Sequence, residues 1–370
     1  MKDHHFHKDE SLESLREQID SIDARILDLI NQRLLIGKQV GSVKSKKGGP
    51  ILDRSREKSV LEKLAKINKG PAQKDMLRYL FSVIITATRQ IQKPNTISFL
   101  GPSASFTHIS ALNFFKHCGT FVQQESLYDI FRDVEKGQSH YGVVPVENSI
   151  EGVVNHTLDL FMDFSLRICG EHYEPISHDL LSITGEPGDV QQICSHPQAL
   201  AQCRGWIKKK FSKAVIVETS STSKAAQMAS ENNRIAAIAS SQAGQIYELQ
   251  MVESKIEDYS GNITRFLVLG NSDYEKTGDD KTSLMFATSH VPGALFKALE
   301  PVNRAGLNML KLESRPSKKQ NWTYTFFVDI EGHMEDELLQ RTVKDIGLQT
   351  LDLKILGSYP KYQDHPAQPN

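Results

Sequence analysis

With 370 residues, a formal net charge of −1 and 24% charged residues, the chain is too long for one ordinary core, which suggests two or three domains, and it has no broad electrostatic attraction to nucleic acid or an anionic membrane. Its longest apolar runs, such as Val83 to Ile85 behind Leu80 and Phe81, fall far short of a membrane span, and no secretory leader pattern opens the sequence. Cys118, Cys169, Cys194 and Cys203 are scattered without a Cys-x-x-Cys pair, so free thiols in a reducing cytoplasm are expected, and neither a disulfide framework nor a zinc site.

Residues 1–9, with His4, His5 and His7, read as a disordered lead-in. From Leu12 the apolar residues Leu15, Ile19, Ile22, Ile26, Leu29, Ile36, Val40 and Val43 follow in steps of three and four, with Arg33 inside the seam. One helix over about residues 10–45 is predicted, about 50 Å long at 1.5 Å per residue. It cannot bury such a seam within a small single-chain domain, so a partner helix is expected. Gly48, Gly49 and Pro50 end it; Asp53 opens a second helix carrying Val60, Leu61, Leu64 and Ile67; Gly70 and Pro71 break again. A third helix carries Leu77, Leu80, Phe81, Ile84, Ile85, Thr88 and Gln92 along one stripe and closes at Pro94.

Polar residues on these apolar faces are the informative feature. An unpaired guanidinium at Arg33 would be costly and implies an anionic partner, although a register-setting polar residue also explains a seam arginine. Arg16 lies about 25 Å from Arg33 along the axis, so one small ligand meets both only if a second subunit supplies Arg16. Over residues 10–93 the sequence resembles the all-helical chorismate mutase family, matched at Arg16, Arg33, Lys44, Asp53, Arg56, Glu57, Thr88 and Gln92, with Thr88 where many relatives have serine. The resemblance implies a pericyclic rearrangement of chorismate, which needs cations to hold the reactive conformer and no nucleophile. Arg16, Arg33 and Arg56 would clamp carboxylates, Lys44 and Gln92 would meet the ether oxygen, and Glu57 would accept from the substrate hydroxyl. Thr88 and Asp53 would contact substrate, and Asp53 is equally explained as a helix cap.

After Lys93, Pro94 and Asn95 short apolar runs alternate with helical stretches, an α/β pattern. Strands are predicted over 97–100, 142–146, 193–195, 214–217, 235–239 and 265–269, and helices over 105–115, 126–135, 197–209 and 223–232. Four strand ends are polar: residues 101–108, 144–149, 195–200 and 220–224. Each reads singly as a loop with a helix cap, and together as a site for small carboxylates. The turn at Gly261 and Asn262 then feeds a strand with Thr264 and Arg265 at its mouth.

All five segments appear in the order found in prephenate dehydratase, and the Asn262-Ile263-Thr264-Arg265-Phe266 stretch resembles its signature. The resemblance covers residues 96–271 and implies two α/β lobes around a cleft, similar to bilobal solute-binding proteins. Ala104 and Ser105 stand where many members have Gly and Thr. Thr264 is the implied catalytic hydroxyl, acting on the departing hydroxyl of prephenate, and Arg265, Asn148, Ser105, Thr107 and Thr222 are the implied carboxylate contacts. Glu147 and His196 read either as proton-handling or as structural groups. No metal or organic cofactor is required.

Polar residues 271–281 read as a linker. Beyond it the order strand 283–288, helix 292–304, strand 308–313, strand 323–330, helix 336–346, strand 351–356 is βαββαβ. Gly293-Ala294-Leu295 and Glu313-Ser314-Arg315-Pro316 match the two motifs of the phenylalanine-binding ACT domain, which makes 282–359 regulatory by resemblance and 360–370 a tail. The expected fold is thus multidomain: an all-α helical mutase, an α/β bilobal dehydratase and an α+β ferredoxin-like ACT domain.

Over nearly its whole length the sequence resembles the bifunctional chorismate mutase-prephenate dehydratases. The resemblance implies a cytoplasmic homodimer or dimer of dimers, acting on chorismate and prephenate with phenylalanine as effector and having no nucleic-acid or membrane partner. The rival readings are an inactive aromatic amino-acid sensor and an arogenate dehydratase. A fused dehydrogenase would need a Gly-x-Gly-x-x-Gly turn, and none occurs.

Overall fold

A computed structural model describes residues 12–47, 54–92, 94–271, 274–316 and 324–362, with backbone alone for 44–47 and 54–58. The lead-in, Asp53 and the tail beyond 362 lie outside the described residues. No described helix is long and apolar enough to cross a membrane. The chain divides into two compact units, residues 1–95 and 96–370.

The first unit contains α1 (Leu12–Lys47), α2 (Arg54–Ile67) and α3 (Lys74–Gln92), with α3 packed on both of the others. Two glycines on α1 set the approach of α3. A methyl group at Gly37 would lie 2.1 Å from Thr88 Cγ2, and one at Gly41 would lie 2.7 Å from Gln92 Cγ. Arg33, Gly37 and Gly41 recur every four residues, so one row on α1 meets the Thr88 and Gln92 stripe of α3. Much of the α1 seam faces outward within the single chain: Ile19, Ile22, Leu29 and Ile36 are all at least half exposed.

The second unit holds three sheets. The first runs β2 (Thr120–Gln124), β1 (Thr96–Leu100), β3 (Tyr141–Asn148), β11 (Ile263–Gly270), β5 (Arg167–Pro175), with β4 (Gly152–Val153) on β3; α4 (Phe106–Phe114), α5 (Leu127–Glu135) and α6 (Asn155–Asp163) accompany it. The second runs β10 (Gln250–Glu253), β6 (Asp179–Ser182), β9 (Ile235–Ala239), β7 (Gln192–Ser195), β8 (Val215–Glu218), with α7 (Pro197–Gln202), α8 (Arg204–Lys210), α9 (Thr222–Ser230) and α10 (Ser241–Ile246). The chain passes between these lobes twice, after β5 and before β11, and Ile176 N donates to Asn262 O at 2.8 Å to tie the two crossings.

The single helix expected over 197–209 is two helices. The Asp258 carboxylate accepts from Gly205 N at 2.7 Å and Trp206 N at 2.9 Å, which caps a new helix start, and a side chain at Gly205 would collide with it. β2, β5, β6 and β10 are strands the sequence pattern did not announce.

The third sheet, β13 (Met309–Pro316), β14 (Tyr324–Glu331), β12 (Asp280–Thr288), β15 (Asp352–Pro360), with α11 (Ala294–Arg304) and α12 (Glu337–Leu348), has the expected βαββαβ order. Leu284, Phe286, Phe326, Val328 and Ile330 face the two helices. Alternation sends Met285, Phe327 and Tyr359 to the other face, where with Leu356 they share one core with Phe161, Ile168 and Leu269 of the first lobe. At Gly357 a methyl group would meet Ile168 O at 2.3 Å, so the backbones of β15 and β5 touch. Residues 271–281, read from the sequence as a linker, therefore join two parts with a common core.

Candidate active sites

In the helical unit, Arg33 Nη1 donates to Thr88 Oγ1 at 2.5 Å and to Ile84 O at 3.3 Å, while the Thr88 hydroxyl donates to Ile84 O at 2.7 Å. Burial lowers the Arg33 pKa, and its partners here are neutral, which leaves a half-buried positive charge beside Thr88. Gln92 lies one helical turn further along, against Gly41. Arg33, Thr88 and Gln92 are thus brought together. Arg16 is exposed and 17 residues away on the same helix, about 25 Å along its axis. Asp53 lies outside the described residues, as do the side chains of Lys44, Arg56 and Glu57.

In the second unit, Thr264, the second residue of β11, lies opposite Asn148, the last residue of β3. Asn148 Oδ1 accepts from Ile150 N at 2.9 Å and Glu151 N at 3.1 Å, which fixes the orientation of the amide. Its Nδ2 then donates to Asn262 Oδ1 at 2.7 Å and Thr264 Oγ1 at 2.8 Å. Thr264 is an acceptor in this pair, and among the described residues no group takes its proton, so the hydroxyl is set to donate outward. Asn262 Nδ2 reaches Gln202 Oε1 at 3.3 Å, and His178 Nε2 reaches the same oxygen at 2.9 Å. Burial lowers the His178 pKa, consistent with a neutral ring donating through Nε2.

The polar strand ends are helix starts. Ser105 caps α4, accepting from His108 N at 3.2 Å and donating to Leu100 O at 2.9 Å, and Thr107 is buried in the first turn. Ala104 sits in the left-handed region at φ 67, strained by about 1–2 kcal/mol, where glycine would be at ease. The strain is held by the second lobe: Ala104 is in its core, Ser240 Oγ donates to Ala104 O at 3.5 Å, and Ser223 donates to Ser103 O. Thr222 begins α9 behind the Ser221 cap. His196 caps α7, with its Nδ1 accepting from Gln198 N at 3.3 Å.

Arg265 points away from the Thr264 cluster. One residue on from Thr264, its side chain leaves the opposite face of β11. Its Nε donates to Glu171 Oε2 at 2.8 Å and its Nη2 to Asp329 Oδ2 at 2.7 Å and Tyr359 Oη at 3.1 Å, inside the third-sheet interface. Burial disfavours this charge, yet Tyr359, Asp329 and Glu171 together raise the Arg265 pKa above its ordinary value. It does not reach the Thr264 hydroxyl as a carboxylate clamp. Glu147, its cross-strand neighbour, likewise pairs with Lys311 of β13 at 2.5 Å.

Of the regulatory residues, Gly293 caps α11 at φ 76, with Ala294 and Leu295 in the first turn. Glu313, Ser314, Arg315 and Pro316 end β13. Pro316 pairs with Tyr324 and Tyr324 with Thr288, so both motifs lie at one end of the sheet. Arg315 pairs with Asp159 of α6 at 3.1 Å, at the interface with the first lobe. Three members of the Thr264 cluster were missed as site residues, Asn262, Gln202 and His178. Asn262 read as turn chemistry and as the first residue of the signature without a role of its own, and Gln202 had no signal beyond a polar side chain in an Ala-rich helix.

Comparison with known proteins agrees with this division. Residues 15–93 match the chorismate mutase type II family, 97–274 the prephenate dehydratase family and 284–348 the ACT domain. A bifunctional chorismate mutase/prephenate dehydratase of Aquifex aeolicus is 43% identical, over 95% of this chain and 98% of its own length. Among solved structures, a prephenate dehydratase from Arthrobacter aurescens in complex with L-Phe is 30% identical with a TM-score of 0.67, over 74% of this chain and 92% of its own. A protein described as a novel type of quorum quenching acylase is 29% identical with a TM-score of 0.66, over 72% of this chain and 98% of its own. With both catalytic domains and the ACT domain present in order along one chain, this protein belongs to the bifunctional chorismate mutase/prephenate dehydratase family.

Proposed function

We propose that the chain rearranges chorismate to prephenate in its helical unit and converts prephenate to phenylpyruvate at the Thr264 cluster, with phenylalanine as feedback effector. The observation that carries the dehydratase reading is the fixed Asn148 amide, which makes Thr264 a hydrogen-bond donor. In the reaction the bond from ring carbon to carboxylate breaks and carbon dioxide leaves. That electron pair completes the aromatic ring while the ring hydroxyl departs and is protonated to water. Thr264 donates a hydrogen bond to the departing oxygen, and Asn148 in turn holds Thr264; a preorganised donor of this kind contributes about 2.7–4 kcal/mol to the barrier. Ser105, Thr107 and Thr222, hydroxyls at helix starts, suit the substrate carboxylates.

In the mutase, Arg33 with Thr88 and Gln92 forms the part of the site seen in one chain, and Lys44, Arg56, Glu57 and Asp53 complete it. The exposed α1 seam supports a homodimer in which Arg16 of a second copy reaches the site; pairing of two such dimers is a further step of the same assembly. Phenylalanine would sit at the end of the third sheet that carries Gly293, Ala294 and Leu295 and Glu313, Ser314, Arg315 and Pro316. A cytoplasmic enzyme without metal or organic cofactor fits this chemistry.

Incubation with chorismate alone tests the reading. Phenylpyruvate should accumulate through transient prephenate. Prephenate alone means a mutase only, no product with retained phenylalanine binding means a sensor, and faster turnover of arogenate than of prephenate means an arogenate dehydratase.

A further inference from the structure

We infer that Arg265 is a positioning residue for the dehydratase hydroxyl, set in place by charges on the third sheet. Four residues carry the argument. On β11 and β3, Thr264 lies opposite Asn148 and Arg265 opposite Glu147, so the second pair stands directly behind the first on the reverse face of the sheet. On the third sheet Asp329 of β14 lies opposite Lys311 of β13. The two pairs meet with complementary charge: Arg265 binds Asp329 at 2.7 Å, and Glu147 binds Lys311 at 2.5 Å.

The contact is built into the interior. Arg265 is 5% exposed, Asp329 7% and Tyr359 fully buried. Ser283 Oγ donates to Asp329 Oδ1 at 2.5 Å and lies 2.6 Å from Tyr359 Oη, while Lys281 Nζ lies 2.7 Å from Glu171 Oε2. Such a buried charge cluster is no more stabilising than apolar packing of the same volume, and the surrounding interface is apolar, so its presence calls for a role other than stability. The ladder supplies that role. The β11–β3 register slips between Arg265 and Phe266, where Val146 is the extra residue on β3, a bulge that aims the end of β3 carrying Glu147 and Asn148 at Thr264. Held on both strands by bonds to one sheet, the Arg265–Glu147 pair fixes where the bulge places Thr264 relative to Asn148.

The inference rests on the dehydratase reading, which wild-type turnover of prephenate checks separately. In the full chain, Arg265→Met should lower dehydratase kcat by about 10–100-fold with KM within about threefold, whereas a substrate clamp would raise KM. Lys311→Glu and Glu147→Lys should each lower kcat by about 3–10-fold, and the double swap should return it to within about twofold of wild type, because the pair is rebuilt with its signs exchanged. This swap is at the rim of the contact, so it decides the matter even if Arg265→Met does not fold. A large rise in KM with kcat retained in Arg265→Met overturns the inference. So does strict additivity in the swapped pair.

Discussion

Asn148 donates to Thr264 across the start of the β3–β11 ladder at 2.8 Å, and its own carbonyl is held by two backbone N–H groups of the turn that follows. The direction of this hydrogen bond follows from the backbone.

Reversing it is the sharpest test of the site. Asn148→Asp replaces the donor with an acceptor, so Thr264 would spend its proton on the new carboxylate. Dehydratase kcat should fall by at least about 100-fold, the scale of a lost preorganised donor, with mutase turnover unchanged. Thr264→Ala should fall as far, and Thr264→Ser should retain part of the rate. Near wild-type phenylpyruvate formation by Thr264→Ala removes the hydroxyl from the mechanism.

The α1–α3 contact gives a prediction with an unusual sign. Gly→Ala inside a helix ordinarily stabilises by about 1 kcal/mol. At Gly37 the new methyl would lie 2.1 Å from Thr88 Cγ2, so Gly37→Ala should push α3 away, cost about 1–3 kcal/mol net and abolish mutase turnover with the dehydratase intact. Gly347→Ala in α12, where nothing lies within 4 Å, is the control and should be neutral or stabilising. Full mutase activity in Gly37→Ala would mean that Thr88 need not sit where it does.

The distance between Arg16 and Arg33 on one straight helix leads to a mixing experiment. Arg16→Ala and Arg33→Ala should each be inactive as mutases, and subunit exchange should restore one good site per heterodimer. Proven heterodimers without recovered activity would show that each site is built from one chain.

Buried His178 predicts an acid-labile lobe. Its folded pKa lies below the unfolded value of about 6.5, so its contribution to stability is complete above that pH. As pH falls below about 6.5 the unfolded chain takes up the proton first, and stability declines until the folded pKa is passed. Asp179, raised by burial, works in the opposite sense in the acid range. Comparing denaturant unfolding at about pH 7.5 and 5.5, His178→Gln should show a smaller loss than wild type. Equal losses in the two proteins would dissociate His178 from the acid response.

The helical unit was legible because its pattern is long and periodic, and the seam from Leu12 to Val43 with Arg33 inside it left little choice. The βαββαβ order was legible for the same reason. β5 was not, because Glu171, His172 and Glu174 interrupt its apolar run, and Glu171 is there to meet Arg265 and Lys281 of the interface. The Thr264 motif pointed to a hydroxyl at a strand mouth, and alternation alone could have turned Arg265 away from it. What it faces depends on a sheet that begins 15 residues later, and no local pattern carries that. The ion pairs of β13 were equally out of reach: its motif looks like a ligand loop, while the strand also sends Lys311 and Arg315 toward Glu147 and Asp159.

The shared core changes what removal of the third sheet should do. A cut after Gly270 would uncover Phe161, Ile168 and Leu269 and strip from them Met285, Phe327, Leu356 and Tyr359. Fully burying each such side chain contributes about 1.5–3 kcal/mol, so the truncated dehydratase should unfold at clearly lower denaturant than the full chain. It should also lose its response to phenylalanine. In the full chain phenylalanine must inhibit by binding one arrangement of the two sheets more tightly, and allosteric coupling of this kind is about 1–3 kcal/mol. Linkage then requires prephenate to weaken phenylalanine binding by the same factor that phenylalanine weakens prephenate binding. Two measurements decide the matter: phenylalanine titrations with and without prephenate on the full chain, and inhibition of the truncated one. If the truncated enzyme is inhibited at the same phenylalanine concentration, the effector competes at the Thr264 cluster and the third sheet is only a structural buttress.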